Sequence, residues 1–404
     1  MFRNNSTKLL FYCEFVITLF DFIIIDMDFL NYRFDNISLI IGIVFASIIV
    51  LQIAYYIIVY CRTCSIKKNK KLSVEKPSIS VVLYTRNESY NLQNNLANIL
   101  EQEYPNFEVV VVNDASEDDT EYVLKVLQEV YPHLKIVNLH ENVNTYLGKK
   151  FPLALGFRSS SNEVIVLTDA ETTPTSYKWL DEIAANFTPD KDVVIAYTAI
   201  KPKKGLLNSL IQYDNHTQAM NYLGNAKLGN PYMGIGKNLA FRRKLFFDYE
   251  GFVSFYSIPV GEDDVLINKI ANRKNTNCVI SSDSINISKA KRNMFEFGVE
   301  KKRRAKARKY FKFKDRLVIS FIPFTTFLLY AGLALCLIIG IPWQYVIVAL
   351  IIRYTTQIII YHKSSKILGT KKIAIFAPIF ELYFIFYNTI IELKTLFRKG
   401  NKWN

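Results

Sequence analysis

The stretch Phe107-Glu-Val-Val-Val-Val-Asn-Asp114 decides the fold. Four valines in succession leave no alternation of apolar and polar positions. A strand of this kind is covered on both faces, as in a parallel sheet packed between helices. The next residues, EDDTEYVLKVLQEVY (117–131), carry apolar positions at helical spacing. The same strand-then-helix unit recurs on either side. Upstream, SISVVLYT (78–85) precedes ESYNLQNNLANILEQ (88–102). Downstream, LKIVNLH (134–140) precedes KKFPLALGFRSS (149–160), and EVIVLTDA (163–170) comes next. The alternation predicts an α/β domain with a mostly parallel sheet flanked by helices, over residues 77–288. Ligands of such sheets gather beyond the carboxyl ends of the strands. Three of those ends are polar here: Thr85-Arg86-Asn87-Glu88, Asn113-Asp114 and Thr168-Asp169-Ala170-Glu171.

The 404 residues leave room for more than this domain, and half of them are hydrophobic. Residues 38–60 carry no charge and are long enough to cross a bilayer. Residues 317–341, 343–361 and 373–393 are three further apolar segments, the last holding Pro378 and Glu381 and read as either a span or a re-entrant helix. Segment 9–25 carries Glu14 and Asp21, so residues 1–37 read as an N-terminal segment with an interfacial helix; a translation start at Met27 is the alternative. The net charge of +14 collects in a linker (61–76), in KPKK (201–204), in the segment 289–316 and at the end of the chain. Basic residues directly after the first span place the α/β domain in the cytoplasm. The clusters suit anionic lipid, and no finger, helix-turn-helix or RNP pattern accompanies them to suggest nucleic acid. Of five cysteines, Cys61 and Cys64 form a lone C-x-x-C with no second pair, which argues against zinc and fits a reduced compartment.

Asp169 and Glu171 stand one residue apart, and on extended backbone both point to one side. Their repulsion would raise one pKa unless a cation lies between them. A divalent ion touching a diphosphate is one resolution; capping of the next helix is the other. In VVNDASEDDT (111–120), Asp114 could accept the imide proton of a uracil-like base, or the segment could be a turn and helix cap. In VGEDDVLINKIA (260–271), Glu262, Asp263 and Asp264 precede an apolar-periodic helix. They could be stabilised by its N-terminus, or one could deprotonate a hydroxyl nucleophile. NPYMGIGKNLAFRRKLF (230–246) includes Gly234 and Gly236, which either admit a ligand close to the backbone or form a plain loop. In EKKRRAKARKYF (300–311), Arg303 or Arg304 could contact a diphosphate, or the run could line the membrane.

The order of these motifs resembles the family 2 glycosyltransferases with a GT-A fold, over roughly residues 76–312. SVVLYTRNESYNLQNNL resembles that family's opening strand and Asn-Glu turn, and EYPNFEVVVVNDASEDDT its nucleotide-binding strand. TDAETTP is similar to its metal-binding Asp-x-Asp, with Glu171 in place of the second Asp. GEDDVL resembles its Glu-Asp segment. EKKRR stands where membrane members have Gln-x-x-Arg-Trp: Glu300 replaces Gln, Arg303 matches the arginine and Arg304 replaces Trp. The resemblance implies Asp263 as catalytic base, with Thr85, Glu88, Asp114, Asp169 and Arg303 at a nucleotide-sugar donor (UDP- or GDP-linked). It also implies Mg²⁺ or Mn²⁺ on Asp169 and Glu171. Lys150, or its neighbour Lys149, is a further candidate for the donor phosphates. The implied activity is inverting sugar transfer to a lipid-linked or glycan acceptor at a bacterial inner membrane. Without the Trp platform it would be a single or short addition. Two rivals stand beside it. One is a nucleotidyl- or phosphoglycosyl-transferase, against which the glycine-free turn YTRNESYN counts. The other is a non-catalytic membrane scaffold retaining a degenerate transferase domain.

Overall fold

A computed structural model describes residues 35–66, 76–139, 148–258, 260–370 and 373–397. The segment 9–25 and Met27 lie outside the described residues.

Helix α1 (Asn36–Thr63) is strongly apolar, with Gln52 in its middle and Arg62 in its last turn. It starts where Asp35 Oδ1 accepts the Ser38 amide at 2.8 Å. The chain then enters the α/β domain with β1 (Ile79–Thr85), α2 (Ser89–Leu100), β2 (Phe107–Asp114), α3 (Thr120–Val130), β3 (Leu134–Leu139), α4 (Lys150–Ser159) and β4 (Val164–Asp169). These four strands are mutually parallel in the order β3-β2-β1-β4. The valine runs have a direct packing cause. Val81, Leu83, Val109, Val111, Val164 and Val166 enter one core with α2, α3 and the later helix α5 (Trp179–Ala184). Val82, Val110, Ile165 and Leu167 enter the other, with Leu153 and Phe157 of α4. Neighbours on one strand thus serve opposite faces, and a polar residue at either would be buried. Each buried aliphatic side chain contributes roughly 1.5–3 kcal/mol relative to exposure.

Beyond β4 the strands shorten to three or four residues: β5 (Thr172–Pro174), β6 (Val193–Ile195), β7 (Thr198–Ile200), β8 (Leu239–Arg242), β9 (Thr276–Cys278) and β10 (Asn286–Ser288). Strands β8, β6 and β9 extend the main sheet to seven strands, and β8 runs against both its neighbours. Strands β5, β10 and β7 make a second sheet just past the Asp169 tip. It brings Ser288 and the residues after it toward Glu171.

Between β7 and β8 lies the 22-residue helix α6 (Leu206–Lys227), followed in chain order by α7 (Arg243–Asp248) and α8 (Asp264–Ile270). Helix α9 (Met294–Arg308) is capped by Asn293, whose Oδ1 accepts the Glu296 amide at 2.9 Å. Helices α10 (Phe313–Ile339), α11 (Trp343–Ile367) and α12 (Ile373–Phe397) complete the chain. With α1 they are the four helices, among the described residues, long and apolar enough to cross a membrane. The stretch read as a span or a re-entrant segment is one continuous helix through Pro378.

Candidate active site

A cavity of about 560 Å³ opens beyond the carboxyl ends of β1 and β4. Its walls come from Tyr84 and Asp169 at the strand tips, from the loop 233–237, from Glu262 and Asp263 before α8, and from Arg303 on α9. Of the residues expected at the site, Asp169, Glu171, Asp263 and Arg303 share this hollow.

Asp263 is held tightly. Its Oδ2 accepts the Gly236 amide at 2.7 Å and its Oδ1 accepts the Asp264 amide at 2.8 Å. Gly236 leaves room for the first contact, because a Cβ there would stand 3.1 Å from Asp263 Oδ2 and press it aside by a few tenths of an ångström. Asp264 is turned inward and buried. Burial, helped by the neighbouring charge of Asp263, lifts its carboxyl to about 7. Glu262, also buried, forms an ion pair with Arg303. All three acidic residues of the segment touch the cavity; Asp263 accepts two backbone amides, whereas Asp264 accepts that of Val265 at 2.8 Å.

Thr85, Glu88 and Asp114 do not line the cavity but stand at the adjoining strand tips. Asp114 is joined to it by Tyr84, whose hydroxyl donates to Asp114 Oδ2 at 3.0 Å. The capping work expected of 116–120 falls to Asp118, which accepts the Thr120 and Ser89 amides at 3.1 Å each. Asp114 is therefore not spent on a cap. Thr85 Oγ1 is buried with no hydrogen-bond partner among the described residues. Lys150 is turned away from the cavity. Its buried ammonium donates to the carbonyls of Ile258 and Val260, the latter at 2.7 Å, and burial lowers its pKa to about 8. Lys149 faces the cavity instead, 3.5 Å from Asp169 Oδ1 and 4.9 Å from the Tyr84 ring centre.

Glu300 and Arg304, the two departures from Gln-x-x-Arg-Trp, are partners of each other, one helical turn apart at 2.6 Å. Burial would raise the Glu300 carboxyl, but Arg304, Lys237 and Lys291 outweigh it and hold it down at about 2.

Sequence reading missed Lys237 and Lys291. Lys237 Nζ lies 2.6 Å from Glu171 Oε1 and donates to Ser288 Oγ at 2.8 Å. Lys291 Nζ lies 3.3 and 3.4 Å from the two Glu171 oxygens. The available signal was a lysine set between Gly236 and a buried strand in GIGKN. These lysines settle the repulsion between the paired carboxylates. Desolvation pushes both acids up, yet Lys149, Lys237, Arg303 and Lys291 keep Asp169 below the ordinary range, and Lys237 and Lys291 do the same for Glu171. The expected Mg²⁺ or Mn²⁺ requires both carboxylates to turn to one ion. They turn to different ammonium groups, and a divalent cation at Glu171 would sit against two positive charges. The pair as arranged does not fit a shared divalent ion.

Residues 44–398 match glycosyl transferase family 21. The chain belongs to that family. Its α/β domain is GT-A-like, and the enzyme class of family 21, a glycosyltransferase, agrees with the family-2-like motifs. The probable glycosyltransferase YdaM of Bacillus subtilis (strain 168) is 32% identical over 112 residues, 27% of this chain and 26% of that protein. The poly-beta-1,6-N-acetyl-D-glucosamine synthase of Staphylococcus epidermidis is 33% identical over 94 residues, 23% of this chain and 22% of that protein. The family 21 chain thus spans about a quarter of the length of these relatives. The mannosyltransferase PcManGT from Pyrobaculum calidifontis, solved with GDP-Man and Mn²⁺, shares the fold with a TM-score of 0.59. It is 19% identical, covering 89% of this chain and all of that one.

Proposed function

We propose that this family 21 member transfers a sugar, with inversion, from a UDP- or GDP-linked donor to a hydroxyl of a membrane-associated acceptor, either lipid-linked or a glycan. The observation that carries the reading is Asp263, fixed by two backbone amides, in one hollow with Asp169 and Arg303. The acceptor O–H gives its proton to Asp263 as its oxygen bonds to the anomeric carbon. The bond from that carbon to the diphosphate oxygen breaks, and the electron pair leaves with the nucleoside diphosphate. Arg303 and Lys149 face the charge that develops there. The base of the donor lies at the β1 and β2 tips, against Asp114, with Thr85 and Glu88 beside it. Mg²⁺ or Mn²⁺ has no step in this scheme, because Glu171 is committed to lysines.

Arg304 with its partner Glu300 stands in place of an aromatic platform, which favours a single or short addition. The basic residues after α1 orient the domain toward the cytoplasm of a bacterial inner membrane. The test is Asp263→Asn, assayed for nucleoside diphosphate release with a panel of nucleotide sugars and membrane extract as acceptor. Transfer should fall about 10²–10⁴-fold. Undiminished transfer would remove Asp263 as base.

A further inference from the structure

The two lysines on Glu171 have a use beyond neutralising it. Lys237 and Lys291 both line the cavity, on the same wall as Asp169 and Arg303. Lys237 reaches it from the loop before β8 and is locked from behind by Ser288 and Glu171. Lys291 comes from the segment after β10, which the second sheet pins beside β5. The two ammonium groups therefore meet over one carboxylate, on fixed backbone from three separate elements. Glu300, which both lysines help to hold ionised, and its partner Arg304 adjoin them, so the cluster sets three cations (Lys237, Lys291 and Arg304) against two carboxylates (Glu171 and Glu300).

We infer that Lys237 and Lys291, with Glu171 as their counter-ion, form a built-in cationic seat for the donor's diphosphate, so that nucleoside diphosphate binding does not need a divalent cation. Glu171 is then a positioning residue rather than a metal ligand. It holds two flexible side chains where phosphate oxygens would replace its own. Lysine suits this task as a compact cation with three donors. The inference rests on the nucleotide-sugar reading above and adds to it which groups hold the phosphates.

The experiment measures UDP and GDP binding to the purified full chain in detergent by calorimetry, first with EDTA and then with excess Mn²⁺. The tighter-binding nucleotide should change in Kd by less than about threefold between the two, well short of the tenfold that 1.4 kcal/mol represents. Lys237→Met and Lys291→Met should each weaken binding in EDTA about tenfold or more, the loss of one charge-assisted contact. Glu171→Gln, whose amide oxygen still accepts from the lysines while the competing negative charge is gone, should bind at least as tightly as the natural chain. Circular dichroism melts check that each variant is folded, and Lys291→Met, at a partly exposed side chain, is the variant least able to disturb the core. Binding that collapses in EDTA and returns with Mn²⁺ would overturn the inference while leaving the nucleotide-sugar reading intact. Loss of Mn²⁺-dependent binding in Glu171→Gln would do the same. Failure of both nucleotides under every condition would overturn that reading and this inference together.

Discussion

Two clusters of charge, one in the cavity and one among the four candidate membrane-spanning helices, are built by opposite rules. In the cavity, ion pairs such as Lys149–Asp169 and those of Glu171 with Lys237 and Lys291 are partly exposed and face open volume. In the helix bundle, Arg353 is completely buried. Its guanidinium donates to Gln52 Oε1 at 2.9 Å, to Gln357 Oε1 at 2.8 Å, to the Tyr56 hydroxyl at 2.8 Å and to Glu381. Gln52 in turn donates to Thr326 at 3.1 Å, and Gln357 to Glu381. Arg353 spends four of its five N–H donors on partners from α1, α11 and α12, and Gln52 carries the network on to α10. The lesson is that a buried charge with every partner supplied by the fold is a fastener, whereas one left with unspent donors beside a void is a seat for something else.

The contrast can be broken most forcefully at Arg353. Arg353→Met should destabilise the protein by about 3–5 kcal/mol, because Glu381 is left buried and unpaired. Denaturant unfolding in detergent measures it, and adding Glu381→Leu should return most of the loss. An unaffected single variant would remove the distinction between the clusters. Next in size is Gly236→Ala. Its new methyl group would press on Asp263 at 3.1 Å, so kcat should fall about tenfold to a hundredfold with donor KM little changed. A kcat within twofold of the natural chain would mean that Asp263 is not held as tightly as its two amide contacts imply.

The contrast is sharpened from another side through pH. Asp264 ionises near 3.8 when free and about 7 in the fold. Between those values the folded state keeps a proton that the unfolded state has released. Stability therefore falls as pH rises through the window, by a contribution that Asp264→Asn should abolish. Parallel stability–pH curves for the two proteins would contradict this. Smallest of all is the exposed pair Lys125–Glu121 on α3. Lys125→Ala should change stability by less than about 0.5 kcal/mol, as a pair open to water on both sides does.

The central strands were readable because burial on both faces demands an unbroken aliphatic run, and β1, β2 and β4 each have one. Strands β5, β6, β7, β9 and β10 were not, since three residues are too few to show a period. The acids at the site were readable from their place at strand and helix ends. Their partners were not: Lys237 and Lys291 are 66 and 120 residues from Glu171, and nothing local marks such a pairing. Lys149 and Lys150 show the same gap at close range. Adjacent in sequence, they diverge because one turns toward Asp169 and the other beneath the loop at Val260. The Glu300 and Arg304 exchanges read as separate losses from a motif until the helix sets them one turn apart.

Helix α6 joins the two regions. Gly224 lies so close to the end of α1 that a Cβ would fall 2.3 Å from the Val59 carbonyl oxygen. His216 bonds Ser364 and Thr370 at 2.8 Å each, and Thr217 meets Tyr361 at 2.8 Å. On its other side α6 receives Lys301 of α9 at Asp214, 2.6 Å away. The α/β domain is consequently bolted to the candidate membrane-spanning helices, like a tool on a fixed stand. Under the proposed function, an acceptor anchored among those helices would have to bring its hydroxyl to Asp263 by its own length, and that fixed distance would act as a ruler for what can be glycosylated.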